Sequence, residues 1–275
     1  MAELAKDVSG LSLSVQQALD NGDVDVPLLP SVAAEVLSSS LDDRSNATRF
    51  AELIQQDQSM TSHLMRVVNS PVFRGASEIV ALQQAIARLG MERIREIALT
   101  VSLKASVLQP GPYDDLMSRS WYVALRSALW AREISRLTRK NVEVAYLCGL
   151  LHNIGEPLVL NCLGKMTESA SPDEVAQVLR NCSRQAGLLL VQEWALPSAV
   201  DLAIRFRGEF ESAANAKDLV AIVDLARFIS CLKELPICEQ VVDQAETQHL
   251  NLYPDEVDAL LEQGENIATT LETLT

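Results

Sequence analysis

The segment Leu150-Leu151-His152-Asn153-Ile154-Gly155 ends an apolar run on an imidazole and a short amide, with a glycine just beyond. A histidine beside a short oxygen-bearing residue is how a divalent-cation site can begin. Such a site lowers the pKa of a bound water and so performs hydrolysis. Divalent ions need several convergent donors, usually including carboxylates that offset their charge. Asn153 brings a neutral amide oxygen, which offsets no charge. The other two histidines, His63 and His249, form no H-x-x-x-H pair with it or with each other. The chain has no glycine-rich phosphate loop and no G-x-S-x-G elbow. The paired acids Asp42-Asp43 and Asp114-Asp115 fall where helix caps and turns are expected.

Helices must position these residues. Apolar residues recur at helical spacing from end to end, and no run alternates convincingly for a strand. Pro30 suits a first helical position before Val32, Ala33, Val36 and Leu37. Asp57 reads as the N-cap of a helix stopped by Pro71, and Gly90 separates two more. Gln109-Pro110-Gly111-Pro112 is the clearest break. Beyond it a long helix is expected through Trp121, Leu125, Leu129 and Ile134. Another follows over residues 142–152, with Gly155 just after its end. Ser171-Pro172-Asp173-Glu174 is a capping box, and Ser198 with Asp201 repeats the pattern. Near the end Val257, Gly264 and Leu271 lie seven apart, as do Leu260, Ile267 and Leu274, a seam too short for a confident coiled coil.

A chain of 275 residues can bury roughly three-quarters of its unfolded surface and needs neither disulfides nor a metal to fold. Hydrophobic residues make up 48%, but aromatics only 4%, so the core is chiefly Leu, Ile, Val and Ala. The net charge is −14, and residues 234–275 hold ten acids with no Lys or Arg. This balance suits phosphate backbones poorly. A local basic patch at Arg132, Arg136, Arg139 and Lys140 is better read as a solvated helix face. Five cysteines without a C-x-x-C pair point to a reducing compartment. With no signal-like N-terminus and no apolar run near 18 residues, the expected location is cytoplasmic and not membrane-bound.

The L-L-H-N-I-G segment resembles the L-L-H-D-I-G signature of the HD superfamily of metal-dependent phosphohydrolases. The wider pattern resembles its HDOD branch, the HD-related output domains of bacterial signalling. The residues that carry this are Leu29-Pro30-Ser31-Val32-Ala33, Asp57, Val68-Asn69-Ser70-Pro71, Gln84-Ala85-Ile86 with Leu89-Gly90, and Trp194-Ala195-Leu196-Pro197. Together they span roughly residues 25 to 230.

The resemblance implies where metal ligands would fall. The first His position is Val123, two residues after Trp121, and the paired His and Asp are His152 and Asn153. A further His falls near Ser183, and those expected after Ala203-Ile204-Arg205 are replaced by Phe206 and Arg207. The final Asp falls close to Arg227, with Asp224 a turn earlier. Val123 and Phe206 have no lone pair to offer, and the arginines bring positive charge. Two readings of His152 stay open. One makes it a buried side chain bonded to backbone at a helix C-terminus, where imidazolium would also be favoured. The other makes it part of a vestigial pit, with Asn153 and Asp224, that holds a small polar ligand without turning it over.

The expected fold is thus an all-α, multi-helix HDOD-like bundle. An N-terminal helical segment (1–24) precedes a domain at 25–235, with halves of about 25–108 and 113–235, the second HD-like. An acidic helical extension (236–275) follows, docked on the domain or joining a second copy. The expected function is a stand-alone, non-catalytic signal-transduction module with a degenerate metal site, no cofactor and no catalytic residue. Its expected partners are proteins of a bacterial signalling pathway, with a small polar ligand and a second copy of the chain also admitted. Nucleic acid is disfavoured. The alternative is a divergent metal-dependent HD-type phosphohydrolase acting on nucleotides.

Overall fold

The computed structural model describes residues 2–38, 44–73 and 78–274, with side chains from residue 10 onward apart from those of residues 44–49. The paired acids Asp42-Asp43 lie outside the described residues. Among the described residues every long element is an α-helix and there is no strand. The first half comprises α1 (Ala2–Asn21), α2 (Ser31–Ser38), α3 (Arg44–Gln56), α4 (Gln58–Val68), α5 (Leu82–Leu89) and α6 (Met91–Val107). After Pro110 come α7 (Asp114–Leu137), α8 (Val142–Leu151), α9 (Gly155–Met166), α10 (Pro172–Glu193), α11 (Ser198–Arg205) and α12 (Lys217–Cys231). The extension forms α13 (Cys238–Val242), α14 (Ala245–His249), α15 (Pro254–Leu261) and α16 (Gly264–Leu274).

Local signals set most of these ends. The Asp57 carboxylate accepts the Met60 N–H at 2.9 Å, and Asn141 accepts the Val144 N–H at 3.0 Å. At α10, Glu174 accepts the Ser171 N–H at 2.6 Å and Ser171 Oγ accepts the Glu174 N–H at 3.4 Å, closing the capping box. Gly90 joins α5 to α6 at φ 83°, a conformation in which a Cβ is strained. Asp114 opens α7 by accepting the Gly111 N–H at 2.6 Å.

Two sequence expectations need correction here, and the one for Gly155 needs an addition. Ser198 is the first residue of α11 rather than its cap, and Asp201 pairs with Arg205 at 2.8 Å instead of closing a box. Pro197 precedes the helix, so its carbonyl takes the first bond and no side-chain cap is needed. Pro30 likewise stands just outside α2 and accepts the Ala34 N–H at 2.9 Å. Gly155 does not merely follow α8; it begins α9.

Helix α7 is the axis of the molecule. It packs on α8, α9 and α12 and also carries α15 and α16. Leu125, Ala128, Leu129 and Ile134 on it are wholly buried. The main apolar core runs from Val15 in α1 to Leu274 in α16, crossing the break at Pro110 without interruption, and a smaller cluster gathers Phe210, Ala213, Val220 and Ala221. Helix α1 lies on α9 and α10, in the second half. The acidic extension packs back on the bundle: Val257, Leu260, Ile267 and Leu271 are each at most 4% exposed.

Candidate functional site

His152 sits at the C-terminal end of α8, 1% exposed, with Nδ1 2.7 Å from the Gly149 carbonyl oxygen. A carbonyl can only accept, so the proton is on Nδ1 and Nε2 carries the lone pair. Burial, and then the nearby Arg207 guanidinium, lower its pKa to about 3, against the weaker opposing pull of the Gly149 carbonyl. This corrects the sequence expectation of a favoured imidazolium. Desolvation outweighs the helix C-terminus when no carboxylate pairs with the ring.

Close backbone approach holds this corner together. A Cβ on Gly155 would lie 2.1 Å from the Ser183 carbonyl oxygen and 2.4 Å from the Gly187 nitrogen. Only glycine lets α9 cross α10 here. A Cβ on Gly149 would likewise lie 2.7 Å from the Ala128 Cα, so α8 meets α7 at the same corner.

Asn153 is 5% exposed and its amide is committed. Nδ2 donates to the Ser120 carbonyl and to Ser120 Oγ, both at 3.0 Å, and lies 3.5 Å from Glu156 Oε2. Ser120 Oγ in turn donates to Glu156 Oε2 at 2.6 Å. The Glu156 carboxylate extends the cluster to the Arg207 guanidinium at 4.0 Å. Arg207 Nη1 also donates to the His152 carbonyl at 3.2 Å. Neither Glu156 nor Ser120 was singled out from the sequence. No spacing signal pointed to them, since the four residues from His152 to Glu156 span the turn between α8 and α9.

Asp224, from α12, is 2% exposed and receives the Gly208 N–H on both oxygens at 2.9 Å. Burial raises its pKa to about 6, while the Gly208 N–H and the Arg227 guanidinium pull the other way. Arg207 and Arg227 act electrostatically on both His152 and Asp224, so α8 and α12 bring these two residues into one neighbourhood. Val123 is half-buried on α7, and Phe206 packs beside Phe210 and Val220. Ser183 Oγ and Arg227 Nε are buried without hydrogen-bond partners.

As a donor set for a divalent ion this cluster does not fit. His152 offers Nε2, but the Asn153 nitrogen points its hydrogens at Ser120 and Asp224 is bonded to backbone. Arg207 adds a fixed positive charge among them. Among the described residues no group of three or more His, Cys, Asp or Glu is placed to hold a metal ion.

The HDOD domain model matches residues 26–210. The chain belongs to the HDOD family. A Treponema pallidum protein of uncharacterised role is 27% identical over 237 residues, which is 82% of this chain and 45% of that protein. The chain thus spans under half the length of that relative. Among solved structures the fold is similar to a Geobacter sulfurreducens HDOD domain protein of unknown function. The TM-score is 0.75 at 20% identity, covering 95% of this chain and 96% of that one. It is also similar to a Shewanella amazonensis protein whose name proposes a metal-dependent phosphohydrolase. There the TM-score is 0.76 at 19% identity, covering 98% of this chain and 100% of that one.

Within this HDOD chain, signature residues act as staples. Asn69 donates to the Ile79 carbonyl and accepts the Ile79 N–H, both at 2.7 Å, tying α4 to the chain ahead of α5. Gln84 Oε1 accepts the Val80 N–H at 3.0 Å. The Trp194 indole N–H donates to the Pro27 carbonyl at 2.8 Å, so Trp-x-Leu-Pro fastens the entry to α2. In the suspected basic patch, Arg132 is 6% exposed and pairs with Glu133 at 2.9 Å and Glu96 at 3.3 Å. Arg136 pairs with Glu133 at 2.9 Å and Lys140 with Asp218 at 2.5 Å. All five cysteines are free thiols, and no described helix is long and apolar enough to cross a membrane.

Proposed function

We propose that this HDOD chain is a non-catalytic signal-transduction module, in which the protein's own groups fill the place of an HD-type metal centre. The observation that carries the reading is the Arg207 guanidinium, bonded to the His152 carbonyl and 4.0 Å from Glu156. A fixed cation there repels a divalent ion, and Asn153 has no anionic oxygen to bridge one. Without convergent donors no bound water is acidified and no attacked phosphoryl group is stabilised. His152, Asn153 and Asp224 then serve as a polar core that registers α8, α9 and α12. Output passes to protein partners through the outer helix faces.

The alternative, a divergent nucleotide phosphohydrolase, has in its favour the name of the Shewanella amazonensis relative. Fold alone does not license the activity. The test is elemental analysis of the purified chain, with a screen of phosphomonoesters, phosphodiesters and cyclic dinucleotides in manganese, magnesium and iron. The expected result is no stoichiometric metal and no turnover. Retained metal, with turnover abolished by His152→Ala, overturns the proposal.

A further inference from the structure

Away from His152, a cavity of about 170 Å³ lies where α2, α6, α8 and α11 meet. Its walls are apolar, formed by Val36, Leu37, Leu99, Val144, Leu147 and Pro197, with Ala199 at one side. Three ionisable side chains of α6 line it, Glu92, Arg95 and Glu96, and Glu143 faces them from α8. The lining residues from α2 and α11 carry no charge. A cavity of about this size accommodates a molecule on the scale of benzene, which suits a small metabolite rather than a nucleotide.

Most polar groups at the cavity are already satisfied. Glu96 is held by Arg93 at 2.6 Å and by Arg132 at 3.3 Å. The Tyr146 hydroxyl lies 2.7 Å from Thr100 Oγ1, which itself donates to the Glu96 carbonyl at 2.8 Å. Two atoms are not satisfied. Glu143 Oε2 and Arg95 Nε are buried with no hydrogen-bond partner. The Arg95 side chain is only 7% exposed, and its nearest carboxylate, Glu92, stands off at 3.7 Å. An unpaired donor and an unpaired acceptor, on two residues that line one cavity, each leave hydrogen-bond energy unclaimed. A ligand that supplies both complements recovers that energy.

We infer that this cavity binds a branched aliphatic α-amino acid, its ammonium on Glu143 and Glu92, its carboxylate on Arg95, and its side chain against Val144 and Leu147. A zwitterion meets both charges without importing net charge. An amine alone leaves Arg95 unmatched, and a fatty acid alone leaves Glu143 unmatched. Burial first, and then a hydrogen bond and charge from the facing Glu92 carboxyl, raise the Glu143 pKa to about 8, with Arg95 opposing and Glu96 adding to the rise. The empty cavity therefore carries a proton that a bound ammonium displaces. The cavity shares no residue with the His152 cluster, so the site stands or falls independently of the metal question.

The experiment is titration calorimetry of the full chain with L-leucine, 3-methylbutylamine and 4-methylpentanoate. Leucine is expected to saturate one site, with each half-ligand at least tenfold weaker. Leucine affinity should climb by up to about tenfold per pH unit toward pH 8 and then level, as the Glu143 carboxyl deprotonates. Glu143→Gln should weaken leucine at least tenfold and flatten that pH dependence. Ala199→Leu, which fills the cavity and leaves every charge in place, should abolish binding while keeping helical circular dichroism. No leucine heat at millimolar concentration, or undiminished affinity in Ala199→Leu, overturns the inference.

Discussion

The guanidinium of Arg207 reaches back from the end of α11 to donate a hydrogen bond to the carbonyl of His152, at 3.2 Å. One side chain thereby closes the C-terminus of α8, faces Glu156 and charges the surroundings of the imidazole. Burial lowers the pKa of Arg207 itself, and Glu156 and Asp224 counter that shift. Its place in the fold has direct consequences for pH dependence and for mutation.

His152 should impose an acid limit on stability. Its folded pKa is depressed to about 3, so the native state holds fewer protons than the unfolded chain between there and the ordinary histidine value. Stability from this group is complete above about pH 6.5 and is lost as pH falls, by on the order of 5 kcal/mol at most. His152→Gln should flatten the acid limb of urea-unfolding midpoints measured between pH 6.5 and 4. An unchanged acid limb would assign the loss to other groups.

Asn153→Asp, which supplies the carboxylate of the L-L-H-D-I-G signature, should destabilise the fold rather than create a site. Nδ2 now donates to two Ser120 oxygens, and a carboxylate there would face an acceptor and the Glu156 carboxylate. A buried charge so placed costs about 3 kcal/mol or takes up a proton. Chemical denaturation should show the loss, and manganese titration should show no saturable uptake.

Gly155→Ala should be among the most damaging single-methyl additions in the chain. The new Cβ meets the backbone of α10, which cannot rotate away as a side chain can. Overpacking at about 2–3 kcal/mol or more is expected, read as a lowered melting temperature. Gly208→Ala makes a contrasting control, since it meets nothing within 4 Å and is limited only by its φ of 78°.

Ending the chain after Leu232 should expose the faces of α6 and α7 that α15 and α16 cover. Val257, Leu260, Ile267 and Leu271 leave water on docking, each contributing about 1.5–3 kcal/mol. The shortened protein should melt lower and bind a hydrophobic dye. Slow amide exchange at these four positions in the full chain is the complementary expectation.

Much of the fold was readable because its signals are local. The caps at Asp57 and Ser171, the turn at Gly90 and the break at Pro110 each depend on residues within one turn of each other. Apolar spacing in α15 and α16 gave the correct buried face. Ser198 and Pro30 misled by a single position, because a cap can be made by backbone alone where the chain enters a helix after proline. The sequence by itself thus determined an all-α chain and its family.

Tertiary structure alone decided how the polar cluster around His152 is built. Ser120, Asn153, Glu156 and Arg207 come from α7, the α8–α9 turn, α9 and the end of α11, and no spacing rule joins them. The charge state of His152 was misjudged for the same reason: desolvation depends on every helix packed around the ring, whereas the helix-end effect can be read from one. The Glu143 and Arg95 cavity was equally invisible, since its orphaned atoms are defined by what distant helices fail to supply. Periodicity reports which side of a helix is buried; only packing decides what it is buried against.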